Sequence, residues 1–129
     1  MGYVSTAVRR WDVSRDGALS ETALRRMLEA EGYHVSRYTY SPGTSFPEHT
    51  HGVDKIDAVI SGQFEIVLAG QPAVLGPGDW VVVPRGVPHT ATVVGRQPVI
   101  SLDAVKVQAV PGRASQVCAV SQAPAVTAD

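Results

Sequence analysis

The chain has 129 residues, 44% of them hydrophobic, which suffices for one domain around a single core but not for two of ordinary size. Its 11 basic and 12 acidic residues nearly cancel and are scattered, so it lacks the concentrated positive face that nucleic-acid backbones require, and nucleic acid is not an expected partner. No apolar run approaches the roughly 20 residues of a membrane span, and "MGYVSTAVRRWD" lacks the apolar stretch of a signal peptide, so a cytoplasmic protein without a membrane partner is expected.

In chain order, Met1-Gly2 opens a segment unlike a lipidated arm, and myristoylation is not expected. Trp11 and Tyr3 are placed to cap one end of the core or to serve a subunit contact. "LSETALRRMLEAEGY" predicts a helix. Ser20 is its N-cap and Glu21 suits the positive end of its dipole; Leu24, Met27 and Leu28 share one face, and Gly32 ends it in the left-handed conformation. Residues 1–32 thus form an arm and one amphipathic helix that packs on something larger.

From Tyr33 the period changes to short β-branched and aromatic runs broken by turns, among them "YHVSRYTY", "KIDAVI", "QFEIVLA", "WVVVP", "HTATVV" and "PVISLDAVKV". Seven or eight strands at this spacing, joined by Gly and Pro, predict an antiparallel sandwich or barrel over residues 33–110. Residues 111–129, "PGRASQVCAVSQAPAVTAD", are poor in large apolar side chains and read as a flexible tail, or as an edge strand through "QVCAV". The single cysteine, Cys118, excludes an intrachain disulfide and is expected to be an inert thiol.

Histidine occurs at 34, 49, 51 and 89. His49 and His51 are separated by one residue; in a strand, alternation would put both on one face about 7 Å apart, where two imidazoles converge on one ion. In "GPGDWVVVPRGVPHTATV" a turn at Gly76 to Asp79 launches a strand ending at Pro84, and Gly86 and Pro88 shape a second turn that delivers His89. His34 falls outside both stretches and is expected to be structural or on the surface. Phe46, Phe64, Trp80 and Tyr38 or Tyr40 can line a pocket or simply fill the core.

These two stretches resemble the two signature motifs of the cupin superfamily. Gly43, His49, His51 and Gly62 fall in register with the first motif, and Gly78, Pro84, Gly86 and His89 with the second. The resemblance implies an all-β double-stranded β-helix, the cupin jelly roll, preceded by one N-terminal helix. It also implies His49, His51 and His89 as ligands of a divalent transition metal, with iron(II) favoured over manganese, nickel, zinc or copper. A small single-domain cupin of this kind is expected to associate as a homodimer and to act on a small oxygen-rich organic substrate. Some cupins with this arrangement are dioxygenases; isomerase or cyclase chemistry, or a non-catalytic metal or ligand-sensing module, is compatible with the same motifs.

Two positions depart from the family pattern. Val93 takes a relaxed asparagine slot, while Lys55 takes the slot of a glutamate that usually completes the ligand set, and a protonated ammonium cannot ligate a cation. Asp57, two residues on and on the same strand face, is a possible fourth ligand, and Asp54 or Glu48 can serve from the loops. A bare three-histidine site, with its remaining positions open, is the leading expectation, and a site that holds no metal is the remaining alternative. Lys55 is expected to snorkel to the rim, or to act as anion anchor or base. Lys55, Asp57 and Tyr38 are the candidate catalytic residues.

Overall fold

The computed structural model describes residues 7–107. The expectations for Met1-Gly2, Tyr3, Cys118 and the 111–129 segment with "QVCAV" lie outside the described residues, as do the last residues of the 33–110 span.

The helix expected after Ser20 is α2, Glu21–Ala30, and the Ser20 hydroxyl accepts the Ala23 N–H at 3.0 Å. Gly32 follows with φ +92°, the left-handed stop. A one-turn helix α1, Val13–Asp16, precedes it and is too short to show a hydrophobic period; Asp12 caps it by accepting the Ser14 N–H at 2.9 Å. Before that, the irregular start contains a two-residue strand, β1, Arg9–Arg10.

Eight strands follow: β2 Tyr33–Tyr40, β3 Ser45–His49, β4 Lys55–Ser61, β5 Gln63–Leu68, β6 Gln71–Leu75, β7 Asp79–Val83, β8 His89–Val94 and β9 Val99–Lys106. They form two antiparallel sheets, in the orders β1-β7-β4-β9-β2 and β3-β8-β5-β6. This is the all-β jelly roll expected.

The five-stranded sheet is buried on both faces. Val59, Val81, Val83 and Val99 meet Phe46, Phe64, Ile66, Leu68, Leu75, Ala91 and Val93 of the other sheet. On the outer face Ile56, Ala58, Trp80, Leu102 and Ala104 take up Leu24 and Leu28 of α2. Strand β9 is therefore buried along nearly its whole length instead of on alternate residues, with Ser101 and Asp103 among the buried positions. Leu24 and Leu28 are both 0% exposed, and truncating either to alanine costs about 2–5 kcal/mol. Trp11 packs on this helix-side cluster, and its backbone N–H donates to the Gly78 carbonyl at 2.8 Å, which ties the arm to the barrel. Trp80 belongs to this outer-face cluster and not to the inter-sheet one.

The chain crosses between sheets at Gly62, between β4 and β5. Its φ is +88°, and a Cβ there would lie 2.4 Å from the Pro98 carbonyl oxygen, so only glycine fits the corner.

Candidate metal centre

Histidines 49 and 89 face each other across β3 and β8, where the register pairs them directly. His51 lies beyond the end of β3, in the loop that leads into β4, so strand alternation does not aim it. It is held instead by the second motif. The Gly86 N–H donates to the His51 carbonyl at 2.9 Å, and the Arg85 N–H donates to Asp54 Oδ1 at 2.8 Å. Gly86, at φ +76°, makes the turn that presents both donors. The two family-like stretches are thus one unit, clamped loop to turn.

The three imidazoles converge. Ring centroids lie 4.7 Å apart for His49 and His51, 4.3 Å for His49 and His89, and 5.1 Å for His51 and His89. One nitrogen from each lies within 4.8 Å of the others. His49 Nδ1 is 2.7 Å from the Pro47 carbonyl oxygen and His89 Nδ1 is 3.0 Å from that of Val87. A carbonyl only accepts, so both Nδ1 atoms carry the proton and both Nε2 lone pairs are free to ligate. Burial, then the Lys55 ammonium and the two neighbouring imidazoles, push the His51 pKa down to about 3; burial likewise lowers His89. Neutral rings are the ligating form, and the donor set fits a divalent transition metal.

Lys55 does not snorkel. It is 5% exposed, and its Nζ donates to Asp103 Oδ2 at 2.9 Å and lies 2.8 Å from Oδ1. The reason is the two-sided burial of the sheet: Asp103 sits on β9 opposite Asp57, 4% exposed, and a buried carboxylate demands a partner. Burial works to lower the Lys55 pKa, but Asp57 and Asp103 outweigh it and the net shift is upward, which favours the ammonium form. Burial pushes the Asp103 carboxyl up to about 6 against the pull of Lys55, with Asp57 adding to the rise.

Asp103 is the residue that sequence reasoning missed. Its only signal is that it is the lone acid in "VISLDAVK", a run too apolar to leave a charge unpaired. The candidate carboxylates Asp57, Asp54 and Glu48 are not brought into the ligand cluster among the described residues. The Asp54 carboxylate is engaged by the Arg85 N–H, and Glu48 is exposed on β3. Tyr38 stacks on Tyr40 with centroids 6.0 Å apart, and burial followed by the Asp103 charge raises its pKa. Tyr40, Phe46 and Phe64 form an aromatic cluster within the inter-sheet core. His34 is exposed on β2, in keeping with a surface role.

Comparison with known proteins agrees with this geometry. The cupin domain family matches residues 36–105, just over half of the chain. An RmlC-like cupin from Shewanella frigidimarina is similar in structure at a TM-score of 0.52 and 24% identity, over 57% of this chain and 65% of that one. KdgF from Halomonas sp. is similar at 0.53 and 24%, over 60% and 72%. The DMSP lyase DddQ from Ruegeria pomeroyi is similar at 0.53 and 28%, over 58% of this chain and 38% of that one. No curated protein sequence matches it.

Proposed function

The chain belongs to the cupin superfamily, and on that premise we propose that it is a metal-dependent enzyme. His49, His51 and His89 hold one divalent transition metal, iron(II) before manganese, nickel, zinc or copper, and the substrate is a small oxygen-rich organic molecule. The observation that carries this is the convergence of three imidazoles, two of them with Nδ1 tied to backbone carbonyls. That a lyase stands among the structurally similar proteins supports the catalytic half. When bound, such an ion supplies Lewis-acid or oxygen-activating chemistry.

The chain's own residues divide the remaining work. The backbone carbonyls of Pro47 and Val87 fix which ring nitrogen faces the site. Asp103 holds the Lys55 ammonium inside the barrel without occupying a ligand position. Asp57 is the candidate proton acceptor, and the raised Tyr38 phenol, which keeps its proton, is the candidate donor. In the same reading the protein is a cytoplasmic homodimer; light scattering at micromolar concentration should then give about twice the chain mass, and a value near 13.7 kDa contradicts the dimer.

Turnover tests the enzyme. Iron-loaded protein is supplied with diketones and aromatic acids while oxygen consumption and product are followed. Oxygen uptake that His51→Ala abolishes supports an oxygenase, and product without oxygen uptake supports an isomerase or cyclase. Metal and ligand binding with no turnover would instead make it a binding module.

A further inference from the structure

Lys55 donates one N–H to Asp103 Oδ2, and its approach to Oδ1 at 2.8 Å lacks hydrogen-bond geometry. An ammonium carries three N–H groups, so two of them have no protein acceptor among the described residues although the residue is 5% exposed. Buried donors are ordinarily paired.

The topology sets Lys55 beside the loop that carries His51. Lys55 opens β4 directly after the His51 loop, and its cross-strand partner Val83 directly precedes the Pro84–Gly86 turn that holds that loop. Lys55 lies on the face of β4 that carries Val59 into the inter-sheet core, so its buried side chain is inside the barrel.

Charge narrows the class of ligand. Lys55, Asp57 and Asp103 together carry one net negative charge, so a dication on the three neutral histidines leaves one net positive charge, which one monoanion neutralises. A carboxylate ligand in place of Lys55 would instead leave one net negative charge and fill a coordination position. Here the positive charge is shared between the ion and a fixed hydrogen-bond donor.

We propose that Lys55 is the substrate-anchoring residue of this centre and that the substrate is a small carboxylate with a neighbouring hydroxyl or keto oxygen. Two of its oxygens chelate the metal and the remaining carboxylate oxygen accepts from Lys55 Nζ. Asp103 is the positioning residue that holds the ammonium in place. This rests on the three-histidine metal centre proposed above.

The test uses zinc-loaded full-length protein with two probes, glycolate as the smallest 2-hydroxy carboxylate and imidazole as a neutral metal ligand, titrated calorimetrically. The comparison is with Lys55→Met/Asp103→Leu, which removes both charges together. Glycolate affinity should fall about ten-fold or more, while imidazole affinity stays within about two-fold. In the unsubstituted protein the Lys55 Nζ nitrogen resonance should shift on adding glycolate, a readout that needs no variant to fold. Equal losses for the two probes, an unchanged glycolate affinity, or a stationary Nζ resonance overturns the anchor. Failure of the protein to take up zinc overturns the metal centre itself, and the anchor with it.

Discussion

Replacing Lys55 by methionine preserves most of the side chain's volume and deletes its charge. Asp103, 4% exposed, then loses the ammonium that stands 2.8 Å from one oxygen and 2.9 Å from the other. Breaking a buried pair from one side costs about 3–5 kcal/mol, because the remaining charge stays in a low-dielectric interior. Against a domain stability of about 5–15 kcal/mol, that is a large fraction. With an m value of about 2 kcal/mol per molar, the urea midpoint should fall by roughly 2 M. Lys55→Met/Asp103→Leu should recover to within about 1.5 kcal/mol of the parent or exceed it, since the buried Asp103 charge goes with its partner and only the partly exposed Asp57 remains.

The pH dependence follows from Asp103. Its folded-state pKa is raised to about 6 from 3.8, so between these values the folded chain binds more protons than the unfolded one, and this group's contribution to stability falls as pH rises through that window. Removing Lys55 deletes an interaction that lowers the pKa, and the window extends upward. The penalty of Lys55→Met should therefore be small or reversed near pH 4 and full at pH 7. Urea unfolding of metal-free protein, followed by circular dichroism at both pH values, measures it. A loss below about 1 kcal/mol at pH 7, or a double variant as unstable as the single one, refutes the buried pair and returns Lys55 to the rim.

Gly62→Ala should be severely destabilising, because a Cβ would meet the Pro98 carbonyl at 2.4 Å on top of a φ of +88°. Gly86→Ala, at φ +76° with nothing within 4 Å, should cost only the left-handed strain of about 1 kcal/mol; thermal melts of both separate the two effects, and equal losses would contradict the corner geometry. Leu28→Ala should cost about 2–5 kcal/mol in urea unfolding while leaving metal stoichiometry intact, since the helix packs on the outer face of the sheet, away from the histidines. Loss of metal in that variant would show that α2 supports the site more directly than its contacts indicate.

The histidine stretches were legible because their chemistry is local: turn residues at fixed offsets announce where a strand begins, and β8 does begin at His89. The helix was legible for the same reason, since Ser20, Leu24, Leu28 and Gly32 stand in one short run. Long-range placement was not. Lys55 and Asp103 are 48 residues apart, and neither local sequence announces the other. His51 shows a subtler limit, because the spacing suggested strand alternation whereas a backbone hydrogen bond from Gly86 holds the loop that carries it. Trp80 was open to either face, and only the pairing of β7 in the five-stranded sheet places it in the outer-face cluster.

Metal content of untagged protein, determined by elemental analysis beside His51→Ala and His89→Ala, tests the central claim most directly. The three-histidine centre predicts about one transition-metal ion per chain in the parent, lost in both variants, with their folds intact by circular dichroism. A parent that binds no metal even after reconstitution with iron(II) or zinc, or variants that retain the full complement, would contradict it.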